Sequence, residues 1–158
     1  GSDSASDRQP DQLPDYYESG TLNAAGLCGL GAAIDWIAAQ GGVAAIRTRE
    51  RAVVKRLRQR LAEMENVCLY GVSDPIRRVA VLSFNVADLA PNEVGFLLDR
   101  KYGIGCRGGL HCAPEAHRTI GTFPRGTVRL APGPFSTLAE MDRVADAIGE
   151  ISTGKTDA

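Results

Sequence analysis

No run of this 158-residue sequence holds the ~20 consecutive apolar residues that a membrane-spanning helix needs. Charge of one sign is not in excess either. Lysine plus arginine number 18 against 19 aspartates and glutamates, a formal net charge of -1. The chain as a whole therefore presents no electrostatic surface for a nucleic acid or a membrane. No charged-apolar-small leader opens it, so secretion is not expected. The four cysteines, at 28, 68, 106 and 112, keep no regular spacing. In a chain of this length that is not a disulfide scaffold, and a reducing cytoplasm is the expected setting. Internal repeats and long low-complexity tracts are absent as well. The length suits one domain with a real core.

Histidine is scarce, and both copies fall in one place. The stretch Gly103 to His117 holds His111, His117, Cys106, Cys112 and Arg107. A thiol becomes a good nucleophile when nearby positive charge favours the thiolate. Cys112 follows His111 directly and lies five residues after Arg107. Gly108 and Gly109 let the backbone turn and let a ligand approach. On residue type alone Cys112 is equally a small buried hydrophobe. The same stretch offers two Cys and two His, as Cys106-x4-His111 and Cys112-x4-His117. Zinc takes such ligands, although structural sites usually have a more closely spaced cysteine pair.

Residues 1–15 are rich in Ser, Asp, Gln and Pro and read as a flexible lead-in, with Gly1-Ser2 either native or a tag remnant. Gly20 and Thr21, ahead of Asn23, suit an anion-binding turn or a simple helix cap. Leu27, Leu30, Ile34 and Ile37 predict a helix over 24–39, stopped by Gly41-Gly42. A second helix is predicted over 43–65, with Ile46, Val53, Leu57, Leu61 and Met64 as its apolar stripe and a basic opposite face. Strands are predicted over 67–70, 78–86, 104–106 and 127–130. Cys28 and Cys68 sit in apolar patterns. Pro91 opens a helix that runs to Tyr102. Thr137-x-x-Glu140 is a capping box for a last helix with Leu138, Met141, Val144, Ile148 and Ile151 inward, and the tail from Ser152 is expected to fray. In the strand at 127–130, Arg129 alternates away from Val128 and Leu130, where its planar fork suits a carboxylate. Consecutive strands imply antiparallel pairing. The expected fold is α+β, a small antiparallel sheet with helices packed on one face.

Two stretches carry a family resemblance. The first is Tyr17-Glu18-Ser19-Gly20-Thr21-Leu22-Asn23 with the helix after it. The second is Tyr102-Gly103-Ile104-Gly105-Cys106-Arg107-Gly108-Gly109-Leu110-His111-Cys112-Ala113-Pro114. They resemble the Glu-x-Gly-Thr-x-Asn segment and the Arg-x-Gly-x-His-Cys-Ala loop of cysteine desulfurases of the second group. Those enzymes are class V aminotransferase-like and depend on pyridoxal phosphate. The resemblance covers roughly residues 14–151 and implies the fold of the C-terminal domain of fold-type I enzymes.

The resemblance also implies roles. Cys112 would take sulfur from L-cysteine as a persulfide, leaving L-alanine. Arg129 would hold the substrate carboxylate, and Arg107 and His111 would shape the loop and its electrostatics. Thr21 would reach the cofactor phosphate of the neighbouring subunit in a homodimer, and a sulfur-acceptor protein is a possible partner. Leu110 stands where this group commonly has the first of two adjacent histidines. Lysine is scarce: Lys55, Lys101 and Lys155 are the three, and none lies in a Ser-x-His-Lys setting for the cofactor's Schiff base. The expectation is therefore a small-domain fragment, inactive alone, whose parent carries that lysine. Its parts would be the lead-in at 1–15, the phosphate turn and linking helix at 16–42, the small domain at 43–151 and the tail at 152–158. Another class V aminotransferase or lyase, or a Cys/His metal module, is the alternative.

Overall fold

The computed structural model of the chain describes residues 5–18 and 20–154. Gly1-Ser2, Ser19 of the turn motif and Lys155 lie outside the described residues. Two compact units divide the chain, one up to Val43 and one from Ala44.

The first unit has a 3-10 turn, Asp15–Tyr17, and helix α1, Ala24–Ala39. Asn23 caps α1: its side chain accepts from the Gly26 amide at 3.0 Å, satisfying one of the free amides of the first turn. The cap reading of this turn is therefore realised. No residue of α1 is buried. Cys28, expected in an apolar setting, is exposed.

The second unit is built on a four-stranded antiparallel sheet. Its strands are β1 (Val67–Tyr70), β2 (Leu82–Val86), β3 (Arg107–Gly109) and β4 (Thr127–Leu130), in the order β1-β2-β4-β3. Four helices accompany it: α2 (Gly42–Ala62, its first two residues in the first unit), α3 (Pro91–Tyr102), α4 (Pro114–Thr119) and α5 (Leu138–Ser152). Side chains alternate across a strand. Leu82, Phe84 and Val86 of β2 thus share a face with Val128 and Leu130 of β4, and all five are buried. Leu57 and Leu61 of α2, Val94 and Leu98 of α3, and Ala145 and Ile148 of α5 join them in one core cluster. Each fully buried Leu, Ile or Phe contributes about 1.5–3 kcal/mol. Arg56 and Arg60 of α2 pair with Asp142 at 2.7 and 2.9 Å, and Arg60 pairs with Asp146 at 2.6 Å, tying α2 to α5 along its exposed side.

The structure corrects several expectations. The strand expected over 78–86 is only Leu82–Val86. Both its neighbours stop there, with Tyr70 opposite Ser83 and Leu130 opposite Leu82. Upstream, carbonyls find local partners: the Arg78 guanidinium donates to Val72 O at 2.6 Å and Val81 O at 3.2 Å. No strand forms at 104–106. Left-handed Gly103 caps α3, and the Ile104 amide donates back to Leu98 O at 2.9 Å, so this segment finishes the helix. The strand begins instead at Arg107, inside the stretch Gly103 to His117. α4 was not expected, although Pro114 at its first turn signals it. Leu138 is 53% exposed rather than inward. It is the first residue after the Thr137 cap, ahead of the buried stripe that starts at Met141. Cys68 is exposed because it lies on the sheet face opposite the core, paired with Asn85.

Candidate functional site

That second sheet face carries the charged residues. In β3 and β4, Arg107 stands directly opposite Arg129, so both side chains rise from the same face. β2 places Ser83 on the other side of Arg129. Like charges facing each other across a strand pair are unfavourable. Among the described residues neither guanidinium forms an ion pair, and Arg129 is only half-buried. Two planar cationic forks with free donors make a seat for a carboxylate.

Glycine is what lets this edge close. A Cβ on Gly108 would lie 2.6 Å from Pro91 O at the start of α3, and one on Gly126 would lie 2.3 Å from Gly109 O. β3 therefore presses directly onto α3 on one side and onto the turn before β4 on the other. A larger residue at either site would move Arg107 away from Arg129.

From β3 the chain passes into a strained turn. His111 and Cys112 both adopt left-handed backbone, φ 52° and 58°. That costs of order 1 kcal/mol per non-glycine residue, and such strain gathers at functional positions. Specific contacts hold it. His111 Nε2 lies 3.0 Å from Thr127 O. A carbonyl only accepts, so Nε2 carries the proton. The Ala113 amide donates to Leu110 O at 2.9 Å. Behind the turn His117 is buried, its Nδ1 sharing a 2.7 Å hydrogen bond with Thr122 Oγ1, while its main-chain carbonyl accepts from the Thr122 amide at 2.8 Å. The two imidazoles lie 5.8 Å apart. His117 thus anchors α4 under the turn. In the sequence alone His117 stands out only as a possible metal ligand. Its place three residues after Pro114, within the first turn of a helix that Pro114 opens, was the available signal.

The electrostatics follow from this packing. Burial pushes His111 below the ordinary histidine value, and the charges of Arg129, His117 and Arg107 act in the same direction, against the opposing bond to Thr127 O. The ring is neutral at pH 7 with Nε2 protonated, so Nδ1 bears the lone pair. That atom is buried and has no partner. Cys112, next in the chain, is exposed. Cys106 is different: burial, then Asp99, pushes its thiol up, and its Sγ would sit 3.5 Å from a Cβ on Gly95 of α3. It faces the helix rather than the turn.

The structure therefore brings Arg107, Arg129, His111 and Cys112 to one end of the sheet. Thr21 is exposed in the first unit, two residues before the Asn23 cap. Cys106, His111, Cys112 and His117 do not assemble as a metal site. Among the described residues no group of three His, Cys, Asp or Glu side chains is placed to hold an ion. Of the described lysines, Lys55 is exposed on α2 and Lys101 lies over the Tyr102 ring, 5.5 Å from its centroid. Neither belongs to the turn. On their own these residues do not form a cradle for pyridoxal phosphate, whose lysine and phosphate contacts need more than Thr21.

Residues 2–144 match the family model for aminotransferase class-V. A probable cysteine desulfurase of Methanothermobacter thermautotrophicus is 32% identical over 143 residues, which is 90% of this chain and 35% of that protein. A cysteine desulfurase of Salmonella agona is 33% identical over 140 residues, 89% of this chain and 33% of its own length. The chain thus spans about a third of the curated relatives it matches. Among solved structures, the apo cysteine desulfurase from Thermococcus onnurineus superposes with a TM-score of 0.79 at 34% identity, covering 89% of this chain and 34% of that one. A cysteine desulfurase from Escherichia coli gives 0.74 at 26% identity, covering 90% and 33%.

Proposed function

The chain belongs to the aminotransferase class-V family, and from that premise we propose that it is the small-domain part of a pyridoxal-phosphate-dependent cysteine desulfurase. The observation that carries the proposal is the turn itself. An exposed cysteine is held in left-handed backbone beside a neutral imidazole, at the end of a sheet that sets two unpaired arginines face to face. The chemistry of L-cysteine fits each part. Arg129, with Arg107 nearby, takes the carboxylate as a charge-assisted pair. The Cys112 thiolate attacks the substrate sulfur. A sulfur–sulfur bond forms and the substrate's carbon–sulfur bond breaks. The electron pair stays on the substrate carbon, which takes a proton and becomes alanine, while Cys112 becomes a persulfide. His111, the residue before the nucleophile, holds the turn to β4 through Nε2 and leaves its Nδ1 lone pair unpaired.

Pyridoxal phosphate, when bound, supplies the electron sink for that carbon. Its lysine would lie in the parent outside this chain, and Thr21 would meet the cofactor phosphate of the neighbouring subunit in a homodimer. In this reading residues 1–15 are a lead-in, 16–42 the phosphate turn and linking helix, 43–151 the small domain and 152–158 a tail. A sulfur-acceptor protein would discharge the persulfide, and four free thiols suit a cytoplasmic setting.

The test is an alanine and sulfide assay with L-cysteine on the full-length parent. Cys112→Ser should abolish sulfur release while leaving the cofactor's absorbance intact, and Arg129→Ala should chiefly raise KM for L-cysteine. Full desulfurase activity in Cys112→Ser would overturn the assignment.

A further inference from the structure

A second basic feature lies away from this turn, and the proposed reaction makes no use of it. Between α2 and the segment 73–79 runs a groove of about 240 Å³, lined by Arg51, Lys55, Arg58 and Arg78 together with Val54, Ala62 and Val79. Positions 51, 55 and 58 share one helix face. All the ion pairs found among the described residues involve Arg56, Arg60 or Arg118, so these four cations have no carboxylate of their own. Two of their N–H groups, Arg51 Nε and Arg58 Nη1, are buried with no hydrogen-bond partner. An unmet buried donor on a charged group is costly, and an oxyanion is what would meet it. Crowding is felt within the groove: burial, then Arg58, lowers the Arg78 guanidinium from its ordinary value. The walls are apolar. Val54 is buried but stands outside the core cluster, and the adjoining lip exposes Val72, Ile76 and Val79 at 46%, 68% and 72%.

We infer that this groove is a docking site for an acidic polypeptide segment of a partner protein, its carboxylates meeting Arg51, Lys55, Arg58 and Arg78 and its apolar side chains lying on Val54, Val72 and Val79. The dimensions favour a chain over a single small anion. Residues 51 to 58 span two helical turns, about 10 Å at 1.5 Å per residue, and a lone phosphate leaves the apolar lip uncovered. The whole chain is near neutral, so the four cations lining the groove are a local excess of positive charge.

The probe is a fluorescein-labelled short peptide of alternating glutamate and leucine, titrated with the 158-residue chain at low salt and followed by anisotropy. It should bind saturably and weaken as salt rises. Lys55 and Arg58 show no hydrogen bond to the rest of the fold, so Lys55→Glu combined with Arg58→Glu should stay folded by circular dichroism and weaken binding by about tenfold or more. Lys55→Glu alone, at an exposed site, should give a smaller loss and keeps the test valid if the double variant fails to fold. Arg100→Glu, on the exposed side of α3, makes the same single charge change elsewhere and should leave binding unchanged. Equal weakening by Arg100→Glu, equal binding of a lysine-leucine peptide, displacement by inorganic phosphate as effective as by unlabelled peptide, or no binding at all would each overturn the inference. The groove lies outside the Cys112 turn, so none of these outcomes depends on desulfurase activity.

Discussion

Helices α1 and α5 are nearly the same length, 16 and 15 residues, and both carry apolar residues at helical spacing. α5 buries Met141, Val144, Ala145, Ala147, Ile148 and Ile151, whereas α1 buries nothing and leaves Leu27, Leu30 and Ile34 between 57% and 59% exposed. Periodicity thus reports which face of a helix is apolar. Whether that face is covered depends on what the topology brings to it. α5 follows β4, and its buried residues share one core cluster with those of β2, β4, α2 and α3. α1 stands before any strand, within a unit that has no sheet among its described residues.

The strongest way to break this contrast is to truncate one side chain from each helix-bearing unit. Phe84→Ala, at a fully buried site in the central strand β2, should cost about 3–5 kcal/mol. Ile34→Ala on α1 should change stability by no more than about 0.5 kcal/mol. Urea denaturation reads both. A loss at Ile34 comparable to that at Phe84 would mean that α1 is packed after all.

Association is the next difference. An apolar helix face left in water tends to find a second copy. The chain should therefore show concentration-dependent sedimentation, and Leu27→Glu with Ile34→Glu should shift it to monomer without altering the melting of the second unit. A clean monomer at all concentrations would remove the reason for treating the α1 face as sticky.

Caps give a smaller and more local contrast. The capping box of α5 is complete. Thr137 Oγ1 accepts from the Glu140 amide at 3.2 Å, and Glu140 Oε2 accepts from the Thr137 amide at 2.8 Å. Thr137→Ala should cost about 1 kcal/mol of global stability. Asn23→Ala removes the equivalent bond from α1, yet should only fray that helix, visible by amide exchange and not in the main unfolding transition. A shared transition for both variants would join the two units into one cooperative body.

What the sequence disclosed follows the same division. The positions of α1, α2, α3 and α5, the strands β1 and β4 and the α+β class were legible because each rests on local pattern: Pro91 and Gly103 bracket α3, Thr137 and Glu140 announce α5, and Leu82, Phe84 and Val86 alternate as a half-buried strand should. The errors came from non-local facts. β2 is short because β1 and β4 stop, which nothing in 78–81 reveals. The strand at 104–106 gave way to the cap of α3. Cys68 is exposed because of which face β1 turns outward. In the site, Cys112, His111, Arg107 and Arg129 were legible as residue types. The pairing of Arg107 with Arg129 was not, since it depends on the register of β3 on β4. His117 under the turn was missed for a similar reason, because its partner Thr122 acts only once α4 has formed.

The smallest expected effect separates the turn from the core within the second unit, and it is read in pH. The core holds no charge, so its contribution does not titrate. The His111 ring does. Burial first, then the charges of Arg129, His117 and Arg107, place its folded pKa below the ordinary 6.5. The unfolded chain has no such surroundings and takes its proton near 6.5. Between the two values the unfolded state binds more protons than the folded one, so stability rises with pH through that window. Acidifying from pH 7 should lower the melting temperature until the folded ring is itself protonated, after which His111 causes no further loss. The effect is small because the ring is only half-buried and solvent screens its charges. His111→Gln keeps a donor for Thr127 O and loses the titration, so its melting temperature should fall less than that of the unaltered chain between pH 7 and pH 5. Proton NMR of the imidazole reads the pKa directly. A His111 that titrates above 6.5, or a variant with the same pH slope as the unaltered chain, would show that the turn does not hold this ring neutral, and with it would go the unpaired lone pair at Nδ1.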